Sequence, residues 1–484
     1  MQNKHLFSLL AFTMLASCTV GPDYERPQFY PDAEVAKNLK LEQAEASPVG
    51  QDWYKQFNDP ALNRLIERAW VASPNVRIAV HKLREARYGL LRSNVQSFPM
   101  LDINAGYNYD RSSRDIGFSI DRDYYQLGMD ASWELDIWGG NRRAAEASRA
   151  LFEAAGANLD NVRLVMAAEV ANNYISLRTA QEQLRVAREN LKLQQEIYQL
   201  VQQKYDVGLT DFIALNQAQY AVESTKTLIP QLESEIEAYK NAVAVLLGVL
   251  PDDLAGTLDN TADNLVRRRL SYNLKQLYRL RVDVIRNRPD VRLAEQNLIA
   301  QNAAVGEAVA NLYPDVSISG FVGWQSGKIA GLINGDHSTY SYAPALKLPF
   351  FHWNQLMNTV NEQKEVKEQY VLSYQNAVLS AVSELRNSVV SIRQERQRNQ
   401  AYRKSVKNMR NVLKYTLSKY KNGLIDFNDL LQAEQELLKA QTELLASNGS
   451  IYQYLIAFTK RPAAVLIPVL PFASIVQKLN SRCC

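Results

Sequence analysis

Cysteine is nearly absent, 3 in 484 residues, which is too few for a disulfide framework. Histidine is almost as scarce, and His5, His81, His337 and His352 lie too far apart in sequence for metal-ligand spacing. The chain also lacks a phosphate-cradling glycine loop, a nucleophile elbow and any paired catalytic motif. Its isolated carboxylates and serines read as solvated faces. An enzyme is not expected, and neither metal nor cofactor is implied. Charge of one sign is missing too: the formal net charge is +4, and no basic run is interleaved with stacking aromatics. That removes nucleic acid as a partner. Proline is absent and glycine almost so from Asn141 to about Tyr205 and from Asn354 to about Tyr420.

What is present is a repeat. Tyr205-Asp206-Val207-Gly208-Leu209 returns as Tyr420-Lys421-Asn422-Gly423-Leu424, an offset of 420 − 205 = 215. Pro74-Asn75-Val76-Arg77 returns as Pro289-Asp290-Val291-Arg292, Phe98-Pro99 as Tyr313-Pro314, and Trp138 as Trp353. Asn161, Glu169 and Asp211-Phe212 recur as Asn376, Glu384 and Asp426-Phe427 in the same register. Solenoid units run about 20–50 residues, so this spacing points to a duplicated half-molecule in which each copy builds the same long unit.

The N-terminus reads as an address. Lys4 and His5 precede the apolar run Leu6–Leu15, which is too short for a permanent membrane helix and has the order of a secretory signal. Leu15-Ala16-Ser17-Cys18 resembles a lipobox, which makes Cys18 the expected site of a covalent lipid. Thr19 at mature position two favours, by the same resemblance, sorting to the outer membrane. Gly21, Pro22, Pro27 and Pro31 suggest an extended tether beyond it. Cys483 and Cys484 read as a frayed tail.

Two segments alternate with period two. Leu101, Ile103, Ala105, Tyr107 and Tyr109 interleave with Asp102, Asn104, Asn108 and Asp110. Tyr125, Leu127, Met129, Ala131, Trp133 and Leu135 interleave with Gln126, Gly128, Asp130, Ser132, Glu134 and Asp136. The second copy is looser, with Val316, Ile318, Val322 and Trp324, then Tyr340, Tyr342, Leu346 and Leu348. Strands of about 10 residues with one polar and one aromatic-rich face match a membrane barrel with a wet lumen. Four strands are too few to close one, and an open edge cannot face lipid. Three protomers supply about twelve strands. The polar loops 111–123 and 326–338 are the expected extracellular turns.

The proline-free stretches carry a seven-residue series, Val170, Leu177, Leu184, Leu191, Tyr198 and Tyr205, copied as Leu385, Ile392, Asn399, Val406, Leu413 and Tyr420. This is coiled-coil periodicity with one polar break at Asn399. Each helix, roughly 95 Å long at 1.5 Å per residue, is expected to turn at Gly208 or Gly423. Second helices follow from Asp211 and Asp426, which have N-cap chemistry.

Four blocks carry a resemblance. Cys18-Thr19-Val20-Gly21-Pro22-Asp23-Tyr24-Glu25-Arg26-Pro27 resembles the mature start of outer membrane factor lipoproteins, the TolC-like exit ducts of resistance-nodulation-division (RND) efflux pumps. Trp53 to Leu62 is similar to that family's first block, Trp133-Glu134-Leu135-Asp136-Ile137-Trp138-Gly139 to its strand-to-helix junction, and Arg288-Pro289-Asp290-Val291-Arg292-Leu293-Ala294-Glu295 to its signature. The resemblance implies a homotrimer: a 12-stranded outer-membrane β-barrel continuous with a periplasmic α-helical coiled-coil barrel. It implies contact with outer-membrane lipid, with a periplasmic adaptor (membrane fusion protein) and, through that, with an inner-membrane RND transporter. The chain then divides into a signal peptide (1–17), a tether and equatorial segment (18–60), and a first repeat (61–248) holding a hairpin (101–136) and long helices (141–247). An equatorial linker (249–285), a second repeat (286–460) with hairpin (315–350) and long helices (354–458), and a C-terminal equatorial segment and tail (461–484) complete it. Gly208, Asp211, Gly423 and Asp426 are the expected periplasmic tip and adaptor contact. Aligned on Gly423, Gln432 stands where relatives carry a gating aspartate; with Asp426 and Asp429 it makes the candidate gate. Two other readings stay open: a duct of a type I secretion or other export system, and a non-transporting coiled-coil envelope lipoprotein.

Overall fold

The computed structural model describes residues 19–29, 53–111, 115, 121–254, 258–259, 264–268 and 283–459. The signal segment 1–17, Cys18 with its expected lipid, most of the linker, and the tail with Cys483 and Cys484 lie outside the described residues. After a short 3-10 turn at Trp53–Phe57, the helices are α1 (Pro60–Ala72), α2 (Pro74–Val95), α3 (Gly140–Asp206), α4 (Phe212–Leu247), α5 (Asp283–Arg286), α6 (Pro289–Ala310), α7 (Trp353–Lys421) and α8 (Phe427–Thr459). The strands are β1 (Met100–Arg111), β2 (Asp121–Glu134), β3 (Asp315–Ser326) and β4 (Ser338–Lys347). The starts of α2 and α6, of β1 and β3, and of α4 and α8 each stand 215 residues apart. At 67 and 69 residues, α3 and α7 run to about 100 Å each.

Boundaries follow local chemistry. Asp59 caps α1, its Oδ1 accepting from Ala61 N (2.9 Å) and Leu62 N (3.0 Å), and Pro60 occupies the first turn, where its missing N–H costs nothing. Gly248 ends α4 in the left-handed conformation at φ 66°, with Val249 N donating to Ala244 O at 3.1 Å.

The chain forms two compact units. The strand unit combines Lys82–Gly156 and Leu293–Asn376 with the N-terminal segment as far as Gln28. Its sheet is antiparallel in the order β1-β2-β3-β4. The register aligns one face across all four strands: Ala105 pairs with Leu127, Leu127 with Trp324, Met129 with Val322, and Val322 with Tyr340. Ile103, Tyr107, Val322, Tyr340 and Tyr342 are nevertheless exposed. The helical unit, Phe29–His81, Ala157–Arg292 and the chain from Ala377 onward, holds both hydrophobic clusters. The larger is built on Trp53, Tyr54, Phe57, Leu62, Ile66, Tyr174, Leu177, Leu247, Leu258 and Tyr452. The smaller joins Ile197, Val201, Val406, Leu413, Tyr420, Phe427 and Leu430 near the glycine turns. No helix among the described residues is long and apolar enough to cross a membrane.

Candidate functional site

Three places stand out: the junction of strands and helices, the sheet, and the helix turns. At the junction Asp136 caps α3, its Oδ1 accepting from Asn141 N at 3.0 Å and its Oδ2 from Arg142 N at 3.1 Å. Trp138 stacks on Tyr313 at 4.6 Å and donates its indole N–H to Pro314 O at 3.0 Å. Trp138 and Tyr313 both belong to the internal repeat and to the strand–helix corners of their halves.

The N-terminal segment 19–29 is strapped onto this junction. Arg143, with its side chain only 5% exposed, donates to Val20 O (3.2 Å), Gly21 O (3.3 Å), Asp23 (2.8 Å) and Glu146 (2.8 Å). Gly306 leaves room for that guanidinium, since a Cβ there would fall 2.9 Å from its Cδ and Nε. Glu295 accepts from Tyr24 (3.2 Å) and Arg26 (2.5 Å), and Asn302 donates to Pro22 O at 2.9 Å. Burial and the neighbouring Glu295 carboxylate push the Tyr24 phenol upward. In the helical unit, Arg288 is buried and forks onto Asp290 (3.0 and 2.5 Å), with Glu384 at 3.2 Å. Burial raises the Asp290 carboxyl, but Arg288 outweighs it and holds the group below the usual carboxylate range.

At the far ends of α3 and α7 the predicted glycines do what their positions ask. Gly208 and Gly423 sit at φ 73° and 72°. Leu209 N reaches back to Lys204 O (2.7 Å) and Leu424 N to Lys419 O (3.0 Å), the wrap that closes a helix end. Asp211 caps α4 through Ala214 N at 2.8 Å. Asp426 precedes α8 and is exposed; Asp429 and Gln432 are exposed on the first turns of α8. The structure thus brings the three candidate gate residues to one helix end.

The two turns differ. Tyr420 is 4% exposed, packs edge-on against Phe427 at 5.8 Å, and is covered by Lys204, whose Nζ lies 4.2 Å from the ring and donates to Tyr420 O at 2.6 Å. Its counterpart Tyr205 is 38% exposed, and Phe212 is exposed beside it. Sequence reasoning missed this asymmetry, the Arg143 strap, and a buried Glu434 on α8. A signal for Glu434 existed: it falls in phase with Phe427, Leu430 and Leu437, where apolar residues belong. Asn399, the polar break, is buried in a layer with Ser447 (3.1 Å) and Asn448 (2.8 Å), and Ser447 donates to Glu395 at 2.6 Å. Among the described residues no group of three His, Cys, Asp or Glu side chains could hold a metal.

A family model described as outer membrane efflux protein matches residues 65–249 and 280–460. The chain is similar to Nodulation protein T of Rhizobium leguminosarum bv. trifolii, 26% identical over 90% of this chain and 91% of the relative. It is also similar to the cation efflux system protein CusC of Escherichia coli K12, 25% identical over 90% of this chain and 93% of that one. Among solved structures, the outer-membrane channel OprN aligns with a TM-score of 0.84 and 30% identity, over 92% of this chain and 99% of its own.

Proposed function

The chain belongs to the outer membrane efflux protein family, and from that premise we propose that three copies close one passive, water-filled duct. The protein is an outer-membrane exit channel serving a tripartite efflux pump, with a periplasmic extension. In the trimer the sheets of three protomers complete a twelve-stranded barrel, and the long helices continue it as a coiled-coil tube. The observation that carries this reading is the sheet itself. Its aromatic face is continuous over four strands yet exposed in the single chain, and among the described residues both outer edges of the four-strand order lack partners. Lipid can cover the face, but only neighbouring strands can satisfy the edges.

Within that duct Cys18 carries the lipid, and the turns at Gly208, Asp211, Gly423 and Asp426 meet the adaptor and, through it, an RND transporter. Asp426, Asp429 and Gln432 ring the mouth. Three copies of two exposed aspartates repel one another across a narrow opening and tune it. Duplication of a half-molecule accounts for the common spacing of the element starts. The envelope-spacer alternative leaves the four strands without a role, whereas a type I secretion duct shares the same build and differs only in its partner.

Planar-bilayer recording on the detergent-extracted protein tests the reading. Long-lived unitary currents from a species sedimenting near three chain masses are expected, with the Asp426→Asn/Asp429→Asn double variant opening at a different rate. A non-conducting monomer sinks the duct; unchanged openings in the variant remove the two aspartates from the gate.

A further inference from the structure

Glu434 lies on α8 among the side chains that α8 buries, away from exposed Asp429 and Gln432. It is 2% exposed, and its Oε1 has no hydrogen-bond partner. Beside it on α3, Gln194 is 5% exposed and donates its amide to the Glu434 carboxyl, while its own Oε1 is equally unpartnered. Each member of the pair therefore buries one acceptor oxygen that lacks a donor. One proton supplies it: a carboxylic acid and a primary amide pair through O–H···O and N–H···O together. An ionised Glu434 leaves both oxygens unsatisfied and a buried charge without a counter-ion.

Among the described residues no cation is paired with Glu434 in place of that proton. Gln194, Tyr220, Thr225, Lys439 and Glu443 help line an adjoining cavity of about 330 Å³. From α7 the side chains in the apolar cluster that α8 shares are Val406, Met409, Leu413, Leu417 and Tyr420. Of the charged residues nearby, Lys192 and Glu196 on α3, Glu223 on α4, Arg410 and Lys414 on α7, and Lys439 on α8 are exposed, and Glu443 on α8 is half-buried. No ion pair among the described residues reaches Glu434. The position 215 residues earlier holds Gln219, neutral and exposed, so the carboxyl belongs to the second hairpin alone.

We propose that Glu434 is a proton-operated latch of the duct: protonated, it clasps Gln194 and holds α8 against α3; ionised, it releases that contact and favours opening. This rests on the reading of the chain as a duct. Burial pushes the Glu434 carboxyl from 4.5 up to about 7, with the Gln194 amide pulling the other way. The clasped form keeps its proton up to about pH 7, whereas a released, hydrated carboxyl loses it near 4.5. Rising pH across that window therefore favours release, by up to about tenfold per pH unit in each protomer. The cavity opens onto Gln194, the partner in the clasp.

The test records single-channel opening and thermal melting of the purified full chain at pH 5.5, 6.5 and 7.5. The same is done for Glu434→Gln, which restores the amide found at Gln219. The unsubstituted protein is expected to open more often and melt earlier as pH rises, while Glu434→Gln holds its pH 5.5 behaviour throughout. The same pH response in both proteins, or none in either, overturns the latch. If nothing conducts at any pH, the duct reading fails and melting alone decides: a fall with pH confined to the unsubstituted protein upholds the clasp, and parallel falls refute it. Should Glu434→Gln not fold, Glu434→Met, similar in volume and without a titratable group, is expected to open at one rate at all three pH values, and a pH response like that of the unsubstituted protein overturns the latch.

Discussion

Gly128 and Gly323 pair across β2 and β3, and the ring of Phe321 lies over both. An added Cβ at Gly323 overlaps the Leu127 carbonyl and the Gly128 Cα, which are backbone and cannot step aside. A Cβ at Gly128 meets chiefly the Phe321 ring, which can turn away, although the Val322 carbonyl also stands 2.7 Å off. Gly323→Ala should therefore destabilise more, by about 2–3 kcal/mol against about 1 for Gly128→Ala, within the usual range for overpacking. Adding Phe321→Ala should relieve Gly128→Ala and leave most of the Gly323→Ala cost, a non-additivity that a double-mutant cycle reads from unfolding midpoints. Equal costs at the two glycines, or no relief by Phe321→Ala, would mean that the ring is not what their bare backbones accommodate. The alternating pattern marked this segment as strand but could not distinguish these glycines from ordinary small residues. Their reason lies in a strand 195 positions away, 323 − 128.

At the scale of elements the sequence was most readable where one residue type has one physical use. Period-two alternation marked four strands, the proline-free stretches marked α3 and α7, and the two glycine turns sit in left-handed backbone where their spacing put them. Asp211 caps α4 as its chemistry suggests. What stayed illegible is how equal patterns come to differ in burial. The second heptad series, Leu385 to Tyr420, is buried throughout, Asn399 included, whereas the first emerges from the core by Tyr205. A heptad stripe declares that a helix packs, not against what: both tyrosines have a phenylalanine seven residues on beside them, and Tyr420 alone is also covered by Lys204 from distant sequence. Nor does a lone glutamate in an apolar phase announce whether it is tolerated or used. The glycine turns themselves permit a clean prediction. Nothing lies within 4 Å of a Cβ built at Gly208 or Gly423, so alanine there is strained only through its φ. Each substitution should cost about 1 kcal/mol and the two should add, the sites being parts of different hairpins. Thermal melts of both single variants and the pair check this; a pair costing far more than the sum of the singles would mean the two turns fold as one unit.

For the whole molecule the question is whether three latches act singly or together. Tyr205 and Phe212 of one protomer lie against each other at 6.3 Å and remain exposed; in the proposed trimer a neighbouring hairpin covers them. Moving one α8 then disturbs a seam that the next protomer shares, and packed interfaces switch between discrete arrangements more readily than they stretch. Concerted opening multiplies the proton dependence: with about tenfold per unit from each Glu434, three together approach a thousandfold. A plot of the logarithm of the open-to-closed ratio against pH, between 5.5 and 6.5, should rise with a slope near three and show no stable intermediate currents. Independent protomers would instead give a slope near one and conductance substates in thirds. The slope separates the two because the same carboxyl drives both cases and only the coupling across the seams differs. Replacing Tyr205 and Phe212 with alanine should lower the slope toward one while leaving the midpoint set by Glu434 in place. If that variant keeps the steep response, the coupling runs through the tube wall elsewhere and not through this aromatic seam.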